Sequence, residues 1–362
     1  MSERLQVQKN SSSAAAIGHI FAITTGFPFS LGQSKLGIMR AVVRYVILPG
    51  LGTLLFAVAV VAAAIVWGSA PPPPPLTAVN ELVAQQNITA LPERRFIRAR
   101  DGTALAYRAY SGAIARAVIL VHGSTAQAES MHALARALHA MPDPPSVYAI
   151  DIRGHGQSGR RGDIDYVGQL EDDLEDFLAA QSTTHPAAQW TLIGFSSGGG
   201  FTLRIAGSHL SEKFRRYILL APMLHHDAPT YRPQGGGWAT PYIPRLIGLS
   251  VLDKLGLPWF QDLPVLAFAR EDAEGQPYAY SYRLWRNFKA HEDYAADFRK
   301  MPVPPVVLVG ANDELFVAEA FPPLIKEIRS DAQITVLPGL GHMDMIFADA
   351  AHQAVVTALE QQ

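Results

Sequence analysis

The residues best placed to do chemistry are Gly194-Phe195-Ser196-Ser197-Gly198, a serine flanked by glycines two positions before and two after it. Gln189-Trp190-Thr191-Leu192-Ile193 precedes this segment as a short apolar β-type run, and Gly199 to Ala206 follows it with helical composition. A G-x-S-x-G at a strand-to-helix turn bends the chain so sharply that the flanking positions must lack bulk, and it lifts the serine Oγ clear of the sheet. The same turn sets the Ser197 backbone N–H at a helix start, where unpaired donors can hold a developing oxyanion. The chemistry implied is nucleophilic attack by Ser196 on a carbonyl carbon.

A hydroxyl attacks only when a base removes its proton, and that base is most often a histidine oriented by a carboxylate. In chains with this turn the order is Ser, then Asp or Glu, then His. The strand-like Pro305-Val306-Val307-Leu308-Val309-Gly310 runs into Ala311-Asn312-Asp313-Glu314, and Gln333-Ile334-Thr335-Val336-Leu337 runs into Pro338-Gly339-Leu340-Gly341-His342. His342 is the expected base. Asp313 is the expected acid, with Glu314 beside it as competitor, and Asp344 reads as a helix-start residue. A second oxyanion donor is expected after the apolar run Ala117-Val118-Ile119-Leu120-Val121, where Gly123 permits close backbone approach and Ser124 supplies its N–H. His122, at the end of that strand, reads as structural. Asp151-Ile152-Arg153-Gly154-His155-Gly156-Gln157-Ser158-Gly159 lacks the spacing of a dinucleotide or Walker loop. It reads as a structural loop in which Asp151 and Arg153 tie down backbone.

These groups need a scaffold that delivers them to one edge. From about residue 93 strand-like and helical runs alternate, the signature of a mostly parallel sheet flanked by helices. The segments 95–98 and 105–110 read as an opening antiparallel pair, followed by strands ending at Val121, Ile150, Ile193, Leu220, Val309 and Leu337. Helical stretches are expected at 131–140 and 167–180; in the second, Val167, Leu170, Leu174, Phe177 and Leu178 recur at helical spacing as a core face. Residues 223–303 are far too long for an ordinary crossover of about 2–6 residues plus a helix. They are rich in proline and aromatic residues, among them Trp238, Trp259, Tyr278, Tyr280 and Trp285. This insertion is expected to cap the site.

Together the serine turn, the His122-Gly123-Ser124 segment and the Asp151-Ile152-Arg153-Gly154-His155-Gly156-Gln157-Ser158 loop resemble the α/β-hydrolase superfamily, and within it the monoacylglycerol lipase, lysophospholipase and serine-aminopeptidase-like branch. The resemblance covers about three quarters of the chain, from Pro92 on. It implies an α/β-hydrolase fold and a Ser196–Asp313–His342 triad with Ser124 and Ser197 N–H groups as the oxyanion hole. It further implies a serine hydrolase acting on carboxylic esters, monoacyl lipids foremost. A serine aminopeptidase or amidase of the same fold is the alternative, and a catalytically silent anchored binding protein is a second. No cofactor and no metal is expected; His225-His226-Asp227 is the one sequence cluster with ligand types, and neighbouring histidines on a loop seldom converge.

The 362-residue chain carries a formal charge of −2 and no cysteine, which leaves no thiolate nucleophile, disulfide or Cys-ligated metal and gives no footprint for nucleic acid. Residues 45–80 are free of charge, and 45–67 are almost wholly apolar, close to the about 20 residues a bilayer requires. Residues 1–44 hold Arg4, Lys9, Lys35, Arg40 and Arg44 against Glu3, so the positive-inside rule puts them in the cytoplasm and the hydrolase outside it. Gly68-Ser69-Ala70 resembles a signal-peptide cleavage site, but Pro71 follows it directly and an uncleaved single-pass anchor is favoured. The expected organisation is therefore a cytoplasmic segment 1–44, an anchor 45–67, a linker 68–91 with the stiff Pro71 to Pro75 spacer, and a hydrolase domain 92–362. The uncharged stretch 14–31 is a poor span.

Overall fold

The computed structural model describes residues 35–74, 87–232, 237–271 and 277–361. The weak span 14–31 and the last spacer residue Pro75 lie outside them. The chain divides into two compact units, Met1–Ala62 and Ala63–Gln362.

The first unit is helical where described. Helix α1 (Lys35–Val42) passes through a π-helical turn, Val43–Ile47, into α2 (Leu48–Trp67). The wide turn has a local cause. Pro49 lacks an N–H, and its ring would press on the carbonyl four residues back, so the backbone opens just before it. The continuous helix Lys35–Trp67 is the one described helix long and apolar enough to cross a membrane.

In the second unit an eight-stranded sheet has the order β1-β2-β4-β3-β5-β6-β10-β11. Its strands are β1 (Arg94–Arg98), β2 (Ala104–Tyr110), β3 (Ala113–Val121), β4 (Pro145–Ile150), β5 (Gln189–Phe195), β6 (Phe214–Leu220), β10 (Val306–Gly310) and β11 (Gln333–Leu337). Only β2 runs antiparallel to its neighbours; β4 through β11 in that order are parallel. This is the mostly parallel sheet expected from the alternation of runs, in the α/β-hydrolase fold that the resemblance implies. Val118 to Val121, Ile218 to Leu220 and Val306 to Val309 are buried on both faces, which explains why these strands are continuously apolar rather than alternating.

The covering helices are α3 (His132–His139), α4 (Gln169–Gln181), α5 (Ser197–Ala206), then α6 (Ile243–Lys254), α7 (Tyr282–Asn287), α8 (Tyr294–Lys300), α9 (Phe321–Ile328), α10 (Asp344–Phe347) and α11 (Asp349–Glu360). Met131 closes a short 3-10 turn ahead of α3, and Val167 stays outside α4 because Gly168, at φ 109°, turns the chain into it. Leu170, Leu174 and Phe177 form the buried face anticipated for α4.

Between β6 and β10 the chain builds a second, three-stranded antiparallel sheet from β7 (Ala239–Pro241), β8 (Pro264–Glu271) and β9 (Pro277–Ser281), with α6 and α7 beside it in sequence. Because β3, β5, β6, β10 and β11 are parallel, their C-terminal ends share one edge. The chain leaves β3 toward β4 on one side and returns to β5 on the other, so that edge carries a topological switch point, where open α/β sheets place their ligands.

Candidate active site

Ser196 follows β5 at φ 55° and ψ −119°, a strained backbone for a residue with a Cβ. Its neighbours hold it there. The Ser196 N–H donates to Leu220 O at 2.9 Å, and Ser196 O accepts from the N–H groups of Gly200 and Met223, each at 3.0 Å. A side chain on Gly194 would overlap the backbone of Gly198 and the Thr202 hydroxyl, and one on Gly198 would overlap the carbonyls of Val121 and His122. Both glycines are therefore required by close packing of the turn against β3 and α5.

The acid and the imidazole meet at the neighbouring strand ends. His342 Nδ1 lies 2.8 Å from Asp313 Oδ2, and both side chains are buried. Asp313 is itself fixed: its Oδ1 accepts the N–H groups of Leu315 and Phe316, each at 2.8 Å, leaving Oδ2 for the ring. Glu314 has a different partner, accepting the His342 backbone N–H at 2.9 Å. Asp313 thus reaches the imidazole, and Glu314 reaches the backbone of the loop that carries it. Asp344 begins α10 as expected and accepts the Gly341 N–H at 2.7 Å. The Phe195 ring, one residue before the serine, stands 4.7 Å from the His342 ring, and the Phe316 ring stands 5.2 Å from it, edge-on. Among the described residues no hydrogen bond engages the Ser196 hydroxyl.

Ser124 meets Ser197, their hydroxyls 2.5 Å apart, so the loop after β3 touches the start of α5. A Cβ on Gly123 would press on Ser196 Cβ, which explains the glycine. His122 is structural as expected: its Nε2 accepts the Ile152 N–H at 3.1 Å, and burial lowers its pKa to about 4, keeping it neutral. Asp151 ties down backbone, accepting from Ala128 and Gln157 N–H at 2.7 and 2.9 Å. Arg153 does not bind backbone. It bridges the carboxylates of Asp101 and Asp173 and the Thr103 hydroxyl, pinning the loop to the β1–β2 turn and α4.

The sequence marks Tyr280 only as one aromatic residue of the insertion, not by its partners. The buried Tyr280 of β9 accepts the Thr125 N–H at 2.9 Å and lies 2.5 Å from His155 Nε2. Burial holds His155 well below its ordinary pKa, so the neutral ring accepts the tyrosine proton. Arg270 of β8 donates to Thr125 O at 3.0 Å. Thr125, at φ 61°, is therefore held on both its amide and its carbonyl by the inserted sheet. Arg232 plays a similar part for the acid loop, donating to the carbonyls of Asp313 and Phe316.

His225, His226 and Asp227 do come together, with ligand atoms within 4.8 Å of one another. His225 instead engages Glu292 at 2.9 Å, and Lys289 occupies the other oxygen of that carboxylate at 2.8 Å.

A family model described as serine aminopeptidase, S33, matches residues 112–347. The chain belongs to this family of α/β-hydrolases. Among curated proteins this S33-family chain is 29% identical over 112 residues to a monoacylglycerol lipase of Mycolicibacterium smegmatis, a stretch covering 30% of the chain and 39% of the relative's length. Its fold is similar to a soluble variant of monoglyceride lipase from Saccharomyces cerevisiae (TM-score 0.57, 17% identity, 76% of this chain and 96% of that one). It is also similar to an esterase from Pyrococcus furiosus (0.52, 17%, 80% and 96%) and to a membrane phospholipase A described as a bacterial virulence factor (0.51, 17%, 87% and 99%).

Proposed function

We propose that the protein is a membrane-anchored serine hydrolase that cleaves carboxylic esters of monoacyl lipids, monoacylglycerols or lysophospholipids. The observation that carries this reading is the Asp313–His342 pair beside a serine held on a strained turn at the switch point. With Nδ1–H donated to Asp313, His342 offers Nε2 as the base. It takes the Ser196 proton as Oγ bonds to the ester carbon, then returns it to the departing alkoxide. The backbone N–H groups of Ser124 and Ser197 hold the charge that develops on the carbonyl oxygen. Water, activated by the same imidazole, then attacks the acyl-Ser196 ester and releases the fatty acid. The segment 223–303 acts as the cap, and its apolar side chains favour an acyl chain.

Residues 45–67 serve as the anchor, with Arg40 and Arg44 on the cytoplasmic side and the hydrolase domain on the other. Carbonate at high pH then leaves the chain in the membrane fraction, and protease added outside intact cells degrades the hydrolase domain. Substrate class is tested by offering the purified protein a panel of monoacylglycerols, lysophospholipids and aminoacyl amides. Turnover of the acyl lipids with negligible cleavage of the amides supports the lipase reading. Preference for the amides would install the aminopeptidase reading in its place.

A further inference from the structure

Helix α2 has no cation of its own in its last turn, where the final carbonyls lack intrahelical donors and the dipole is negative. Arg245 of α6 supplies one from a distance in sequence of nearly the whole sheet. Its guanidinium donates to Ile65 O at 2.8 Å, to Val66 O at 3.4 Å and to Pro264 O at 2.8 Å. The side chain is buried, and Gly68 packs so closely on the Arg245 backbone that a Cβ there would overlap it. Ala63 to Gly68 and α6 belong to the same compact unit. The end of the apolar helix is thus built into the insert at the first turn of α6.

Helix α6 buries Arg245, Gly248 and Leu249 and turns an apolar stripe the other way. Ile243, Ile247, Val251 and Leu255 recur every four residues and are between 37% and 67% exposed, and Trp259 and Phe260 extend the stripe beyond the helix. Trp67, at the end of α2, is 78% exposed. A run of large apolar side chains at helical spacing that continues into aromatic residues matches the pattern of a helix lying in a membrane interface.

We infer that the exposed face of α6, with Trp259 and Phe260, rests in the leaflet from which α2 emerges, held there by the Arg245 latch. The inference rests on the anchor reading above. The occupant is the bilayer because the stripe starts two residues from the group that binds the anchor's last turn. The protein then meets its membrane twice, once by the span and once by the insert, and the insert enters the lipid from which a monoacyl substrate would be drawn.

The lack of cysteine makes the test direct. The full chain carrying Ile247→Cys is labelled with a polarity-sensitive fluorophore and placed in phosphatidylcholine vesicles with and without nitroxide phospholipid; Gln353→Cys, exposed on α11, is the control. The label at 247 should be quenched at least about two-fold and the control should not, because an interfacial face sits at the headgroup–acyl boundary. Arg245→Leu should abolish most of that quenching while the chain stays with the vesicles in alkaline carbonate. Arg245→Lys, which keeps charge but not the fork, should give an intermediate value. Turnover of a soluble ester verifies folding of each variant. Labels at both 247 and 255 that are no more quenched than the control, in a chain that resists carbonate, overturn the docking and leave the anchor standing. Release of the chain by carbonate overturns the anchor and the docking with it. Crosslinking between copies through 247 in detergent would assign the face to self-association and also refute the inference.

Discussion

Tyr280→Phe removes one oxygen, and that oxygen has two partners. Without it the buried Thr125 N–H and the neutral His155 Nε2 both lose their hydrogen bonds. Each buried polar group left unpaired costs about 1–3 kcal/mol, so the variant should lose about 2–6 kcal/mol of stability. A structural role would end there. Thr125, however, follows Ser124 directly and sits at φ 61°, held by Tyr280 on its N–H and by Arg270 on its carbonyl. Released on one side, the turn relaxes and carries the Ser124 N–H away from the oxyanion position. Displacement of a catalytic group by about 1 Å can cost about 100-fold, and complete loss of one oxyanion donor about 10²–10³-fold, so kcat should fall about 10- to 100-fold. KM should change little, because the ground-state ester makes weak use of that donor. The pH profile should keep its shape, because His342 is untouched. The assay is steady-state hydrolysis of a p-nitrophenyl ester beside a thermal melt. A lower Tm with unchanged kcat would refute the positioning argument and leave Tyr280 as a packing residue.

Other outcomes follow from the same geometry. Asp313→Asn should lower kcat by about 10⁴-fold because the imidazole loses its orienting acceptor; Glu314→Gln, which keeps an oxygen for the His342 N–H, should cost less than about ten-fold, and equal losses at both would contradict the assignment. Gly198→Ala should destabilise the chain by more than the about 1–3 kcal/mol of ordinary overpacking, because the new methyl meets backbone carbonyls of β3 rather than movable side chains; a melt within a degree or two of wild type would refute the packing argument. The buried, neutral His122 takes up its proton only near pH 4 when folded but near 6.5 when unfolded, and burial shifts His155 in the same direction. The unfolded chain therefore binds more protons across that window, and stability should fall as pH drops from 6.5 toward 4. A Tm flat between pH 6.5 and 5, before most carboxylates titrate, would contradict it.

What could be read in the sequence was whatever is local. The serine turn is written in five consecutive residues, and the buried parallel strands are short apolar runs whose ends mark where catalytic groups must stand. The positions of Ser196, Asp313 and His342 follow from that rule. Asp313 and Glu314 are adjacent and chemically alike, and only the fold shows that one carboxylate reaches the ring while the other reaches the backbone. The Tyr280–Thr125 bond and the Arg245–Ile65 bond join residues 155 and 180 positions apart, so no spacing or periodicity announces them. Arg153 illustrates the same limit: its loop was recognisable, but its partners Asp101 and Asp173 lie on other elements.

The central claim is that Ser196 is the nucleophile. The most direct measurement is a fluorophosphonate reaction with the full chain in membranes, followed by mapping of the modified peptide by mass spectrometry. One adduct per chain should form on Ser196; it should vanish in Ser196→Ala together with ester hydrolysis and persist in Ser197→Ala, where only the backbone N–H is needed. An adduct on Ser197, or a Ser196→Ala protein that still hydrolyses esters, would contradict the account.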